Sequence, residues 1–304
     1  MSGQLLEIHK KIGSVTNTKK ITKAMQLVAA SKMKQFQKKA LMVRGYVWEM
    51  LEILERHLGL IEEKEKLSPY MEKRTEGPIL FVAYTSDKGL CGGLNTQILR
   101  ALLRNEKWKN TPADQKLLIA IGKKSKDFAR SNKIPVEKSF LKIPEKLKII
   151  DALEIIDEIL KYWTEKLCRE IVFIAPHFKN SLIFYPIVKT LLPFSKEMIQ
   201  SHFQYRKNTE DAKKTKLYPY MLYEPSKAHI KNRLFEHIIE SIFIHSFFEL
   251  KASEYSSRMI AMKNANDSAD RILHDLTLTY NKTRQQVITQ ELAELIGASE
   301  ALAA

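Results

Sequence analysis

The hydrophobic pattern is clearest at the C-terminal end. From Tyr255 the bulkier or less polar residues recur at Met259, Met262, Asn266, Ala269, Leu273, Leu276, Tyr280, Thr283 and Val287, in steps that alternate four and three. A repeat of 3.5 on a helix of 3.6 residues per turn stays on one side only if the helix winds left-handedly around a partner, so the pattern predicts a coiled coil. The partner is sought at the other end of the chain. There Ile8, Ile12, Val15, Ile21, Met25, Val28, Met33, Phe36, Ala40, Val43, Val47, Leu51, Leu54, Leu58 and Ile61 fall mostly three or four apart, and no proline occurs before Pro69. One helix over residues 4–60 would span roughly 85 Å at 1.5 Å per residue.

From Gly77 the pattern changes to short apolar runs separated by helical stretches. Residues 77–86, 117–122, 136–141 and 170–176 read as strands, with helices expected at 95–105, around 126–130 and at 144–167. Strands alternating with helices at these lengths predict a mostly parallel sheet covered by helices. Further strand-like runs lie between Leu182 and Tyr205, a lysine-rich polar loop at 206–216 and an edge strand at 217–223. Pro225 and Ser226 then form a helix start signal, with Ser226 as N-cap. No later proline interrupts a final helix of about 70 residues, roughly 105 Å long.

The expected architecture is α/β plus a long coiled coil: an antiparallel two-helix coil from the N- and C-terminal helices, with a Rossmann-like α/β domain inserted between them. The segments are 1–66, 77–224 and 225–304. Two places carry more apolar surface than a two-helix seam requires. One is the stretch from Ile21 to Phe36; the other holds Val287, Ile288, Leu292, Leu295 and Ile296. Both are expected to be enclosed by something larger than the partner helix.

Composition adds charge to this picture. Fifty Lys and Arg against 35 Asp and Glu give a net charge of +15 over 304 residues, which favours negatively charged partners. Within the first 45 residues ten Lys and Arg face the single acid Glu7. That run reads either as a solvated face or as a helix held within an acidic surface. No apolar run approaches the roughly eighteen residues of a membrane span. Cys91 and Cys168 have no metal-ligand or paired spacing, and both are expected to be free thiols.

Candidate chemistry is sparse. The turn TSDKGLCGGLN at 85–95 is the one place where a phosphate cradle is conceivable, yet its glycines fit neither GxGxxG nor GxxxxGK[ST]. A structural turn is the competing reading. The eight histidines form no metal-binding spacing, and no carboxylate pair is marked out. No catalytic residue, cofactor or metal is expected. A basic coiled-coil protein binding nucleic acid and a nucleotide-binding enzyme using Gly89 to Asn95 stand as alternatives.

Four blocks decide among these readings. ITKAMQLVAASKM at 21–33, TSDKGLCGGLN at 85–95, SRMIAMKNANDSA at 257–269 and YNKTRQQVITQEL at 280–292 resemble the gamma subunit of the F-type ATP synthase, and their order and spacing match end to end. The resemblance implies the central rotary shaft of the F1 part of a proton-driven synthase. That shaft is a non-catalytic coiled coil inside an alpha3beta3 hexamer of alpha and beta subunits, associated with an epsilon subunit, with its α/β domain on the membrane c-ring and no nucleic acid. ATP chemistry would belong to the beta subunits.

Carried over from the family, the contacts to the beta subunits fall on Arg258, Arg284, Gln285, Thr289 and Glu291, and Met25 lies where the shaft passes acidic loops. The cysteine pair of the plastid members has no counterpart, so thiol control is not expected. The matching helix begins within a few residues of Met1, which implies no transit-type leader. A bacterial enzyme at the cytoplasmic face of the inner membrane is therefore expected, with this chain peripheral to the membrane.

Overall fold

The computed structural model describes residues 3–59, 68–145, 149–195 and 224–303. The N-terminal pattern forms one helix, α1 (Gly3–Gly59). The middle of the chain follows as β1 (Ile79–Tyr84), α2 (Leu94–Arg104), α3 (Glu106–Asn110), β2 (Lys116–Ile121), α4 (Lys123–Ser131), β3 (Lys138–Phe140), α5 (Ile149–Thr164), β4 (Glu170–Phe178) and β5 (Phe184–Leu192). A 77-residue helix, α6 (Lys227–Ala303), closes the chain. The expected edge strand at 217–223, the loop at 206–216 and the end of the run to Tyr205 lie outside the described residues. So does the stretch at 146–148 within the helix expected from Pro144.

The chain divides into two compact units. One comprises Met1–Ser31 and Arg258–Ala304, the other Lys32–Ser257, so each long helix contributes to both.

In the larger unit the sheet has the order β3-β2-β1-β4-β5. The first four strands are parallel, as expected from strands joined through helices, and β5 runs antiparallel to β4. The short link at Asn180 allows this reversal: its side chain accepts from the backbone N–H groups of Leu182 and Ile183, at 2.9 Å each. β1 is buried along its whole length and so reads as a continuous apolar run.

Successive β1 side chains face opposite sides of the sheet. Phe81 meets Trp108 of α3 edge-on at 4.8 Å, while Tyr84 stacks on Phe243 of α6 at 5.5 Å. The sheet is thus covered on both faces. The sequence pattern does not show α3. Asn105, which ends α2, starts α3 by accepting from the N–H groups of Lys107 and Trp108 at 3.0 and 3.3 Å. The predicted start of α6 is present: Ser226 Oγ accepts from His229 N–H at 3.3 Å.

The parts of α1 and α6 in this unit are tied to the sheet and to each other. Phe36 stacks on Tyr255 at 5.6 Å. Lys32 and the Tyr255 hydroxyl both hold the carboxylate of Glu145. Burial alone would raise the Glu145 pKa, but these two hydrogen bonds and the Lys32 charge bring it below the usual carboxylate value.

Deeper in, the Glu249 carboxylate accepts from Arg44 at 3.0 Å and pairs with His177 Nδ1 at 2.9 Å, with His245 Nε2 at 3.6 Å. Glu249 therefore joins α1, β4 and α6 at one buried charge.

Candidate partner-contact site on the helix pair

In the smaller unit, the first part of α1 and the last part of α6 form an antiparallel pair. The direction is read from cross-helix contacts: His9 lies against Tyr280 with ring centroids 6.0 Å apart, Lys19 pairs with Asp270, and Thr22 and Gln26 meet Asn266. As position rises on α1 it falls on α6.

The α6 seam lies where its spacing places it. Between Asp270 and Gln290 the residues that are not exposed are Leu273, Leu276, Tyr280, Thr283 and Val287, all five of them seam positions. Met262, Asn266 and Ala269 continue the line as buried residues.

The α1 side differs from the sequence-based expectation. The less exposed positions run Leu5, Ile8, Ile12, Val15, Lys19, Thr22, Gln26 and Ala29, with Thr16, Met25 and Ala30 half-buried beside them, whereas Ile21 and Val28 are 62% and 56% exposed. At Ile21 and Val28 the expected line is therefore displaced from the seam, while Met25 stays half-buried at its margin. Its cause is chemical: here the seam is polar, and a search for apolar residues is drawn to the outward face.

That outward face is the candidate site. Ile21, Leu27 and Val28 on α1 are exposed, as are Ile288, Leu292, Leu295 and Ile296 on α6. Both stretches singled out for excess apolar character thus carry it outward. Lys10, Lys20 and Lys23 are exposed on α1 as well.

Of the candidate contact residues, Arg284, Gln285, Thr289 and Glu291 are exposed, Met25 is half-buried, and Arg258 is buried at 6% exposure. The Thr289 hydroxyl donates to the Gln285 carbonyl at 2.9 Å. The structure gathers the four exposed residues within two turns of one helix end and sets Met25 and Arg258 in more enclosed positions.

The glycine-rich turn belongs to the larger unit, where its polar groups are used internally. Ser86 N–H donates to Asn95 Oδ1 at 3.0 Å, and the Ser86 hydroxyl donates to Lys88 O at 2.8 Å. Asp87 accepts from the N–H groups of Lys123 and Lys142, at 2.9 and 3.2 Å. Ser257 Oγ on α6 donates to Cys91 O at 2.6 Å. Gly92, at φ +54°, lies so close to Ser257 that a Cβ would stand 3.1 Å from its Oγ. Two of the four recognised blocks therefore meet here, through a pairing 166 residues apart. These contacts are those of a structural turn.

The family model described as ATP synthase matches residues 4–302. The chain belongs to the gamma-chain family of F-type ATP synthases. As a gamma chain it is a central-stalk subunit of that enzyme. It is 32% identical over 299 residues to the ATP synthase gamma chain of Dehalococcoides mccartyi, covering 97% of this chain and 98% of that one. It is 36% identical over 300 residues to the gamma chain of Buchnera aphidicola, covering 97% of each.

Among solved structures it is similar to a chain of the Tetrahymena thermophila mitochondrial ATP synthase central stalk and c-ring, with TM-score 0.58, 27% identity, and coverage of 81% of this chain and 99% of that one. A chain of the Euglena gracilis mitochondrial ATP synthase matches in fold, with TM-score 0.66, 17% identity, and coverage of 99% and 95%. Among the described residues no helix is long and apolar enough to cross a membrane.

Proposed function

We propose that this gamma chain is the non-catalytic shaft that carries torque between a membrane c-ring and an alpha3beta3 hexamer. In this reading the free end of the helix pair turns inside the hexamer, the α/β domain sits on the ring beside an epsilon subunit, and the beta subunits perform the ATP chemistry. The ring is driven by protons, and the complex works at the cytoplasmic face of a bacterial plasma membrane. The functional division into 1–66, 77–224 and 225–304 separates the two strands of the shaft from its foot.

The observation that carries the reading is the outward surface of the helix pair. Leu292, Leu295 and Ile296 are 54–67% exposed. Apolar side chains clustered in this way on a soluble helix end mark a surface that another protein covers. Beside them Arg284 presents a planar guanidinium suited to a bidentate carboxylate pair. The lysines of α1 suit a sleeve with acidic loops.

A shaft with different side chains around its circumference cannot contact three identical catalytic sites alike. Each orientation therefore stabilises a different set of site conformations, and coupling is the difference in contact energy between them. Reconstituted complexes test this directly. Arg284→Ala, or removal of residues 285–304, is expected to lower the protons moved per ATP turned over. Unchanged coupling in both would exclude these contacts.

A further inference from the structure

The polar stretch of the seam has a role of its own. Asn266 is 5% exposed and lies on the seam between Met262 and Ala269. Its Oδ1 is 2.6 Å from Thr22 Oγ1, and its amide Nδ2 donates to Gln26 Oε1 at 3.0 Å. The Thr22 hydroxyl has one proton and three acceptors in reach: Asn266 Oδ1, Thr18 O at 3.1 Å and Lys19 O at 3.0 Å. The Asn266 oxygen is the nearest. One turn further along, Lys19 pairs with Asp270 across the same seam. Asn266 thus satisfies both ends of its amide from the opposite helix.

We propose that Asn266, with Thr22 and Gln26, is the register lock of this helix pair: a positioning group that decides which residues of α6 face which residues of α1. The inference rests on the shaft reading given above and deepens it. A heptad seam is nearly degenerate, because sliding one helix by seven residues returns seam positions to seam positions. Such a slide moves the helix about 10.5 Å along the axis.

In the slipped arrangements the residue opposite Asn266 in place of Thr22 is Val15 or Ala29. Both are apolar, and the amide then loses a partner it has in the native pairing. Asp270 likewise comes to face Ile12 or Gln26 in place of Lys19. Only the native register satisfies both groups. A slide would also carry Arg284, Gln285, Thr289 and Glu291 by the same distance relative to Met25. A shaft under torque therefore needs the register held by something more selective than apolar contact. A buried asparagine costs stability relative to leucine and returns a single pairing.

The test reads register and function separately. In the full chain, the double substitution His9→Cys/Tyr280→Cys reports the native register, because these rings lie 6.0 Å apart. His9→Cys/Leu273→Cys reports the register slipped by seven. With Asn266 present, oxidation is expected to link the first pair and not the second. In the Asn266→Leu background the second pair is expected to cross-link at least tenfold more than before, while the thermal midpoint stays level or rises. Asn266→Ala serves the same purpose if the leucine variant folds poorly.

Exchanging the two amides, with Gln26→Asn and Asn266→Gln together, is expected to restore native-only cross-linking. Absence of slipped cross-links in both the leucine and alanine backgrounds would overturn the lock. Slipped cross-links accompanied by unaltered coupling in the assembled complex would leave the lock standing and overturn the placement of the torque contacts.

Discussion

Ser257 Oγ donates to the carbonyl of Cys91 at 2.6 Å, directly over Gly92. The long C-terminal helix is thereby fastened to the glycine-rich turn that follows β1. Ser257→Ala removes this bond and is expected to lower stability by roughly 1 kcal/mol. Gly92→Ala adds about 1–2 kcal/mol of backbone strain at its positive φ. Gly122→Ala is expected to be worse than either, since a Cβ there would stand 2.2 Å from the Thr85 carbonyl oxygen, which is backbone and cannot turn aside. Urea unfolding of the three variants gives the order.

The charge of Glu249 is matched by Arg44 and His177 from two other elements. Its side chain is only 3% exposed. Glu249→Ala leaves the half-buried Arg44 without this carboxylate and is expected to cost about 3–5 kcal/mol. Glu249→Gln, which keeps the shape and an acceptor oxygen, should cost less. Thermal melts that failed to separate the two would show that packing, not charge, is what Glu249 supplies.

The same cluster predicts how stability depends on pH. Burial lowers the His245 pKa from 6.5 to about 4; Glu249 opposes the shift, and the charges of Arg44, His177 and Lys189 add to it. A base whose folded pKa is depressed contributes fully above its unfolded value, because below that the unfolded state binds more protons. Stability is therefore expected to fall as pH drops from about 6.5 to about 4, by an amount on the order of 3 kcal/mol at 1.36 kcal/mol per unit.

For Glu249 burial alone would raise the pKa, but the hydrogen bond from His177 and the nearby His245, His177 and Arg44 charges hold it below 4.5. Its contribution is lost only as pH falls below that. His245→Leu should flatten the slope between pH 6.5 and 4 and leave the more acidic one. Urea midpoints at pH 7, 5 and 3.5 check this.

Cys168 is buried at 1% exposure, and burial pushes its thiol up to about 12, with the Arg74 charge opposing the shift. The native chain at pH 8 is expected to leave this thiol unlabelled by iodoacetamide over hours, while denatured chain reacts at once. Rapid labelling of Cys168 in the folded protein would contradict its burial.

The exposed apolar end gives the last expectation. Leu292→Ser with Leu295→Ser should leave the melting of the isolated chain within about 0.5 kcal/mol, because neither side chain is buried in it. In the assembled enzyme the same pair should weaken coupling. A melting loss as large as that of a core substitution would show that these side chains pack within the chain itself.

Much of this molecule is legible in its residues. The two long helices, the alternation of strands and helices, the Ser226 start of α6 and the α6 seam all follow from periodicities and caps that act over a few residues. Such signals are local and need no knowledge of what lies opposite. They also mark the exposed apolar excess at Ile288, Leu292, Leu295 and Ile296, since a helix face has no more room in its seam than its geometry allows.

What the sequence alone could not decide was what meets across long separations. The seam of α1 passes through Lys19, Thr22 and Gln26 because Asn266 and Asp270 wait opposite. Polar residues in a seam carry no periodic hydrophobic signal. The partner of the glycine-rich turn, the reversal of β5 and the convergence of Arg44, His177 and His245 on Glu249 likewise depend on where distant segments are brought together. Local pattern determined the elements, the α6 seam and the apolar part of the α1 seam; tertiary packing alone decided the polar contacts, because a buried hydrogen bond or ion pair exists only when both partners are in place.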